Sequence, residues 1–161
     1  MTPIGSLGEW QALDRCLSMD DRGIDVACSY FVVDPGMIIP STISSTDVRL
    51  KGRLSCHGGL VLHADIVLER DVRDRVRGLI YRYQTQFADL PRRRVLRCDN
   101  DHVYAREGHP DAFHKHVFSM RTWKEINVVH IGRDRFPNLL EVIDELYAWW
   151  LAHRDDPLIY P

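Results

Sequence analysis

Apolar residues recur along the chain with two different periods. Leu7, Trp10, Leu13 and Leu17 stand three or four residues apart, the spacing that places side chains on one face of a helix. Ser6 and Glu9 form a capping box at its start, and Asp20, Asp21 and Gly23 close it. The pattern predicts an N-terminal helix over 7–19. The period then changes. Ile24 to Val33 is rich in β-branched and aromatic residues, and Asp34-Pro35-Gly36 is a turn signal. Met37 to Ile43 suits an edge strand, because Pro40 has no N–H to give a central ladder. Val48, Leu50 and Leu54 alternate with Arg49, Lys51 and Arg53, which predicts a half-buried strand. Gly58-Gly59 turns the chain, and Leu60, Leu62, Ala64, Ile66 and Leu68 alternate with a mixed second face.

The charged stretch 70–77 reads as a connector. Leu79–Phe87, Arg94–Cys98, His114–Phe118 and Asn127–Ile131 predict further strands, with Pro91 breaking the chain between the first two. Leu139, Leu140, Ile143, Leu146, Tyr147 and Trp150 return to a period near 3.6 and predict a closing helix over 138–153, starting at Pro137 or Asn138. Short connectors favour an antiparallel meander over βαβ units. The expected fold is α+β: about six strongly curved antiparallel strands packed against an N-terminal and a C-terminal helix. The expected organisation is a single domain over 1–161, with the first helix and strands in 1–45 and the main body in 45–150.

Composition adds little to this. With 45% hydrophobic and 27% charged residues, 161 residues make one ordinary globular domain rather than a disordered chain. No apolar run reaches membrane length, and Met1 to Glu9 has no signal-like core, so a cytoplasmic location is expected. Cys16, Cys28, Cys56 and Cys98 are scattered without a C-x-x-C pair, which favours four reduced thiols over a zinc knuckle or a disulfide framework.

Charge changes the picture more. The net charge is −2, but Glu69 to Arg97 holds nine Arg against four acids, whereas Asp134 to Asp156 holds six acids against two Arg. Eighteen of the 21 basic residues are Arg, whose planar fork pairs with phosphate oxygens. A phosphate-bearing partner such as RNA fits the basic middle, and so does a plain compositional preference for Arg.

The chemistry-bearing residues concentrate in one stretch. Four of the eight histidines fall between Asp99 and His116, at His102, His109, His114 and His116. On an extended segment His114 and His116 share a face and could act as general base and general acid on a phosphodiester, with Arg97 and Lys115 stabilising the phosphate and Asp99 orienting an imidazole. Tyr81 and Tyr83 could stack on bases, Arg92, Arg93 and Arg94 could hold phosphates, and Asn100 could contact nucleic acid. Glu69, His102 and His109 are further candidates. Each has a plainer reading: strand aromatics, a solvated turn, a capping Asp-Asn pair, a packed loop histidine. Asp99, His102, His114 and His116 also match zinc or manganese by ligand type, but H-x-H alone is a weak metal signal, and the expectation is a site with no metal and no cofactor.

Glu69 at a strand end, Tyr81-Arg82-Tyr83, Arg97-x-Asp99-Asn100, His109-Pro110 and His114-Lys115-His116 occur in this order before a C-terminal helix. That order resembles the TumE-like toxins of prokaryotic toxin–antitoxin modules, over roughly residues 45–150, with the Arg-x-Asp-Asn to His-Lys-His block as its specific part. The resemblance implies a toxin encoded beside a helix-turn-helix antitoxin and acting on RNA or translation, and with the residues above the first expectation is a metal-independent endoribonuclease or translation inhibitor. The family positions carried over are Glu69, Tyr81, Tyr83, Arg97, Asp99, Asn100, His114, Lys115 and His116. A non-catalytic binding protein and a metal-dependent nuclease are the competing expectations, and the sequence leaves homodimerisation open.

Overall fold

The computed structural model describes residues 29–34, 39–42, 47–70, 76–100, 113–131, 137, 139–157 and 159–160. Within them lie strands β1 (Val32–Asp34), β2 (Ile39–Thr42), β3 (Asp47–Cys56), β4 (Leu60–Arg70), β5 (Val76–Phe87), β6 (Arg94–Asp99), β7 (His114–Phe118) and β8 (Glu125–His130), and helix α1 (Leu139–His153). One antiparallel sheet runs in the order β1-β3-β4-β5-β6-β7-β8, with β2 also paired to β3.

The expected meander of about six strongly curved strands packed against an N-terminal and a C-terminal helix is therefore corrected. The sheet is open and has eight strands, and α1 is the one helix packed on it among the described residues. The expected helix over 7–19 lies outside those residues. The count rises because β1 and β2 are both short pieces paired with β3 at one edge of the sheet. The second face of β3 and β5 carries exposed Lys51, Arg53 and Arg82, which a second packed helix would have to desolvate.

Strict alternation in β3, β4 and β5 builds the core. Register places Leu54, Leu62, Thr85 and Leu96 in one cross-strand row and Ala64, Tyr83 and Cys98 in the next. All are buried on the face that α1 covers, where Leu139, Val142, Ile143 and Leu146 form a stripe at helical spacing. Ile143 has no exposed surface. Ile143→Ala is expected to cost about 2–4 kcal/mol, through lost transfer energy and the cavity left behind. A urea midpoint unchanged from wild type would contradict that packing.

The β3–β4 connection, a 3-10 turn at His57–Gly59, fixes how α1 lies. His57 stacks on Trp150 of α1 with centroids 5.6 Å apart. Gly58 has φ +69°, and a Cβ there would stand 2.5 Å from the Tyr160 hydroxyl and 2.6 Å from Trp150 Nε1. Gly58→Ala should therefore lose about 1–3 kcal/mol, from left-handed strain and displacement of the indole together. Thermal melts of the pair of proteins test this, and equal midpoints would refute it.

Cys56 and Cys98 are buried, and burial pushes the Cys98 thiol up to about 11, which makes it unreactive. Cys16 and Cys28 lie outside the described residues. Among the described residues no helix is long and apolar enough to cross a membrane.

Candidate functional site

β6 and β7 pair with Arg97 opposite His116 and Asp99 opposite His114. Opposed residues of an antiparallel pair share a face, as do positions two apart on a strand. All four side chains therefore leave the sheet on one side. It is the side away from α1, because Lys115, between the two histidines, pairs with Glu145 of α1.

The four converge. His114 Nε2 lies 3.0 Å from His116 Nε2. The Asp99 carboxylate stands 3.4 Å from each of these nitrogens, through Oδ1 to His114 and Oδ2 to His116. One ligand atom from each of Asp99, His114 and His116 falls within 4.8 Å of the others. Asp99 and His114 have no exposed surface, and His116 has 5%. Arg97 Nε donates to Asp99 Oδ2 at 2.5 Å. His116 Nδ1 lies 2.7 Å from Glu125 Oε2, with Glu125 at the start of β8 opposite Phe118. His130 stands opposite His114, with ring centroids 6.2 Å apart.

The electrostatics follow from this packing. Burial alone would raise the Asp99 carboxyl, but the contacts with His116 and Arg97 outweigh it and hold the group well below the ordinary carboxylate range. Burial alone would lower His116, but Asp99 and Glu125 outweigh it and raise the imidazole above its ordinary value. A carboxylate at Nδ1 also favours the tautomer with the proton there, which turns the Nε2 lone pair toward Asp99 and His114. Two imidazole nitrogens and a carboxylate oxygen meeting in a water-poor spot are a ligand set for zinc, manganese, iron or cobalt, and Glu125 occupies the outer position that orients a ligating histidine.

The other sequence candidates sit elsewhere. Strand alternation sends Lys115 to the helix side, so it does not join the cluster. Tyr81 and Tyr83 are fully buried on the core face, 5.8 Å apart by centroid, and present no ring to a base. Asn100 continues the ladder: its N–H donates to the Tyr81 carbonyl and its Oδ1 accepts from the Tyr81 N–H at 2.7 Å. Arg92 and Arg93 lie in the β5–β6 connection, Arg93 over the Trp123 ring at 5.2 Å, and Arg94 begins β6 at the end opposite Asp99. Glu69 lies four residues beyond Asp65 on β4, roughly 13 Å along the strand from the row that leads to Asp99. His102 and His109 are outside the described residues. Glu125 and His130 were not among the sequence candidates. An acid nine residues after a histidine carries no local signal, and only the β7–β8 register brings the two together.

No protein-family model, curated protein or solved structure matches the chain.

Proposed function

We propose that the chain binds one divalent transition-metal ion through Asp99, His114 and His116 and uses it to hydrolyse a phosphodiester. Its substrate would be RNA, and its setting the toxin half of a cytoplasmic toxin–antitoxin pair with a helix-turn-helix partner. The observation that carries the metal reading is the convergence of three ligand atoms within 4.8 Å, backed by Glu125 on the far nitrogen of His116. The toxin setting and the RNA substrate rest on the resemblance of the Arg97-to-His116 block and on the Arg-rich middle of the chain.

A metal-free acid–base pair fits this geometry less well. Phosphoryl transfer between two imidazoles needs the phosphate between them, and the 3.0 Å separation of the two Nε2 atoms leaves no room for one. A bound divalent ion would supply Lewis acidity and an activated water. Arg97 holds the Asp99 carboxylate, and its guanidinium has further donors suited to a phosphate oxygen.

The test is RNA cleavage by protein stripped with a chelator, then reloaded with Zn²⁺ or Mn²⁺. Activity should vanish on stripping and return on reloading. Full activity after exhaustive chelation would sink the metal reading and favour the acid–base alternative. Metal binding without cleavage of any RNA, in a chain that still arrests growth, would favour a non-catalytic mode of action.

A further inference from the structure

The register extends the polar face well beyond the cluster. Lys51, Asp65, Arg82, Asp99 and His114 are directly opposed on successive strands β3 to β7. Arg53, His63, Gln84, Arg97 and His116 form the adjoining row. Opposed residues share a face, so both rows run across the sheet on the side away from α1. At the β3–β5 end the rows open into a cavity of ≈ 340 Å³, lined by Lys51, His63, Asp65, Arg82, Gln84 and Gln86. At the other end they reach the buried Asp99, His114 and His116. The cavity centre is two strands from the cluster, about 10 Å at the ordinary strand spacing.

We infer that these two rows are a track for single-stranded RNA, with the cavity holding a nucleotide next to the one whose phosphate meets Arg97, the part-exposed member of the row beside the buried Asp99, His114 and His116. This rests on the reading of the cluster as a phosphodiester-cleaving centre.

Charge favours an anionic backbone. Lys51, Arg53 and Arg82 are exposed cations around the cavity. The one acid in its described lining, Asp65, is taken up by Arg49, whose Nε and Nη2 reach its two oxygens at 2.7 and 2.5 Å. That forked pair neutralises the carboxylate and holds it below its ordinary range, so it does not repel a phosphate as an isolated acid would. His63 is lowered by burial and by Arg53, so its imidazole is neutral near pH 7 and offers a hydrogen bond rather than a charge.

The cavity's polar groups suit a base edge. Gln84 Nε2 donates to Gln86 Oε1 at 2.7 Å, which locks the two amides together. That bond does not use Gln84 Oε1 or the Gln86 Nε2 N–H groups, which supply an acceptor and donors suited to a base edge. The volume admits a nucleotide and not a duplex. The described lining holds no Phe, Tyr or Trp, and His63 is its one ring, so recognition runs mainly through phosphates and amides.

The test is fluorescence anisotropy of a labelled, mixed-sequence, single-stranded oligoribonucleotide, with chelator present to prevent cleavage and salt varied. Arg82→Gln should weaken binding roughly tenfold and reduce the slope of log K against log salt by about 0.7, the value for one phosphate contact on a single strand. The Lys51→Gln, Arg53→Gln double variant should weaken it further, and Arg92→Gln in the β5–β6 connection should not. Co²⁺ absorption of the same proteins reports the metal cluster independently. Wild-type binding by Arg82→Gln and by the double variant would overturn the track, as would no RNA binding by the parent, or equal dependence on Arg82 for an acidic peptide alone. RNA cleavage that survives those variants would leave the metal centre standing without the track. RNA binding that needs Arg82, with neither Co²⁺ binding nor cleavage, would leave the track standing and remove the centre.

Discussion

His116→Ala is expected to weaken Zn²⁺ or Co²⁺ binding by two to three orders of magnitude and to abolish RNA cleavage with it. The size follows from the number of ligands. Apparent zinc-binding energies of structural sites are about 10–16 kcal/mol spread over four ligands, so one ligand accounts for about 3–4 kcal/mol, which is about 10²–10³ in affinity. His114→Ala and Asp99→Ala should fall in the same range, because all three contribute an atom to the same 4.8 Å cluster. Glu125→Gln should behave differently. It keeps an acceptor near His116 Nδ1 and loses only the charge, so a loss of about tenfold is expected. Lys115→Met sits between two ligands in sequence yet faces α1, and should leave metal affinity unchanged. That ordering is the diagnostic feature, since a general loss of folding would not spare position 115 while ranking 116 above 125. Titration of the stripped proteins, read by Co²⁺ absorption, measures it. Wild-type affinity in His116→Ala, or an equal loss in Lys115→Met, would end the assignment.

Much of the sheet was legible because alternation is a local signal. Leu60, Leu62, Ala64 and Ile66 mark a buried face without knowledge of any neighbour, and the strand they predict is present as Leu60–Arg70. The same logic placed His114 and His116 on one face, where they are in contact. Local pattern does not encode pairing. That Asp99 faces His114, and that Glu125 reaches back to His116 past a bulge between Val117 and Phe118, depends on register, which hydrophobic spacing leaves undefined. Sequence adjacency misleads for the same reason. Lys115 lies beside both histidines in the chain, and the period of two carries it to the opposite face. Tyr81 and Tyr83 show the converse ambiguity: two tyrosines on one strand face are written alike whether that face meets a nucleic acid or a helix, and burial against the α1 side decides for the core. Packing against two helices was expected, and among the described residues α1 alone covers the sheet, because an amphipathic stretch reports that it covers something and not what it covers.

The environment of Asp99 carries the second large expectation, one about stability rather than metal affinity. Asp99 is fully buried, and Arg97 is the permanently charged cation whose contact with it is resolved, at 2.5 Å; the imidazoles are cationic only when protonated. Arg97→Met keeps the apolar stem and removes the charge. A buried carboxylate stripped of its partner typically costs 3–5 kcal/mol. His116 can take up a proton and offset part of that, so in excess chelator near pH 7 a loss of about 2–4 kcal/mol is expected, read from urea midpoints. The sign of the pH dependence follows from the depressed Asp99 value. A carboxyl held below its unfolded pKa contributes stability above about pH 4, and that contribution is lost as pH falls through the folded value. Removing Arg97 moves the folded value up, so the variant loses the contribution at a higher pH, and the gap between the two proteins narrows in acid. Adding Zn²⁺ should then restore more stability to Arg97→Met than to the wild type, because the ion supplies the positive charge that Asp99 has lost. At a free concentration of 100 Kd, binding alone contributes about 2.7 kcal/mol to either protein. A midpoint for stripped Arg97→Met equal to that of the wild type would show that the carboxylate does not depend on this guanidinium. An equal response of the two proteins to Zn²⁺ would separate the ion from Asp99.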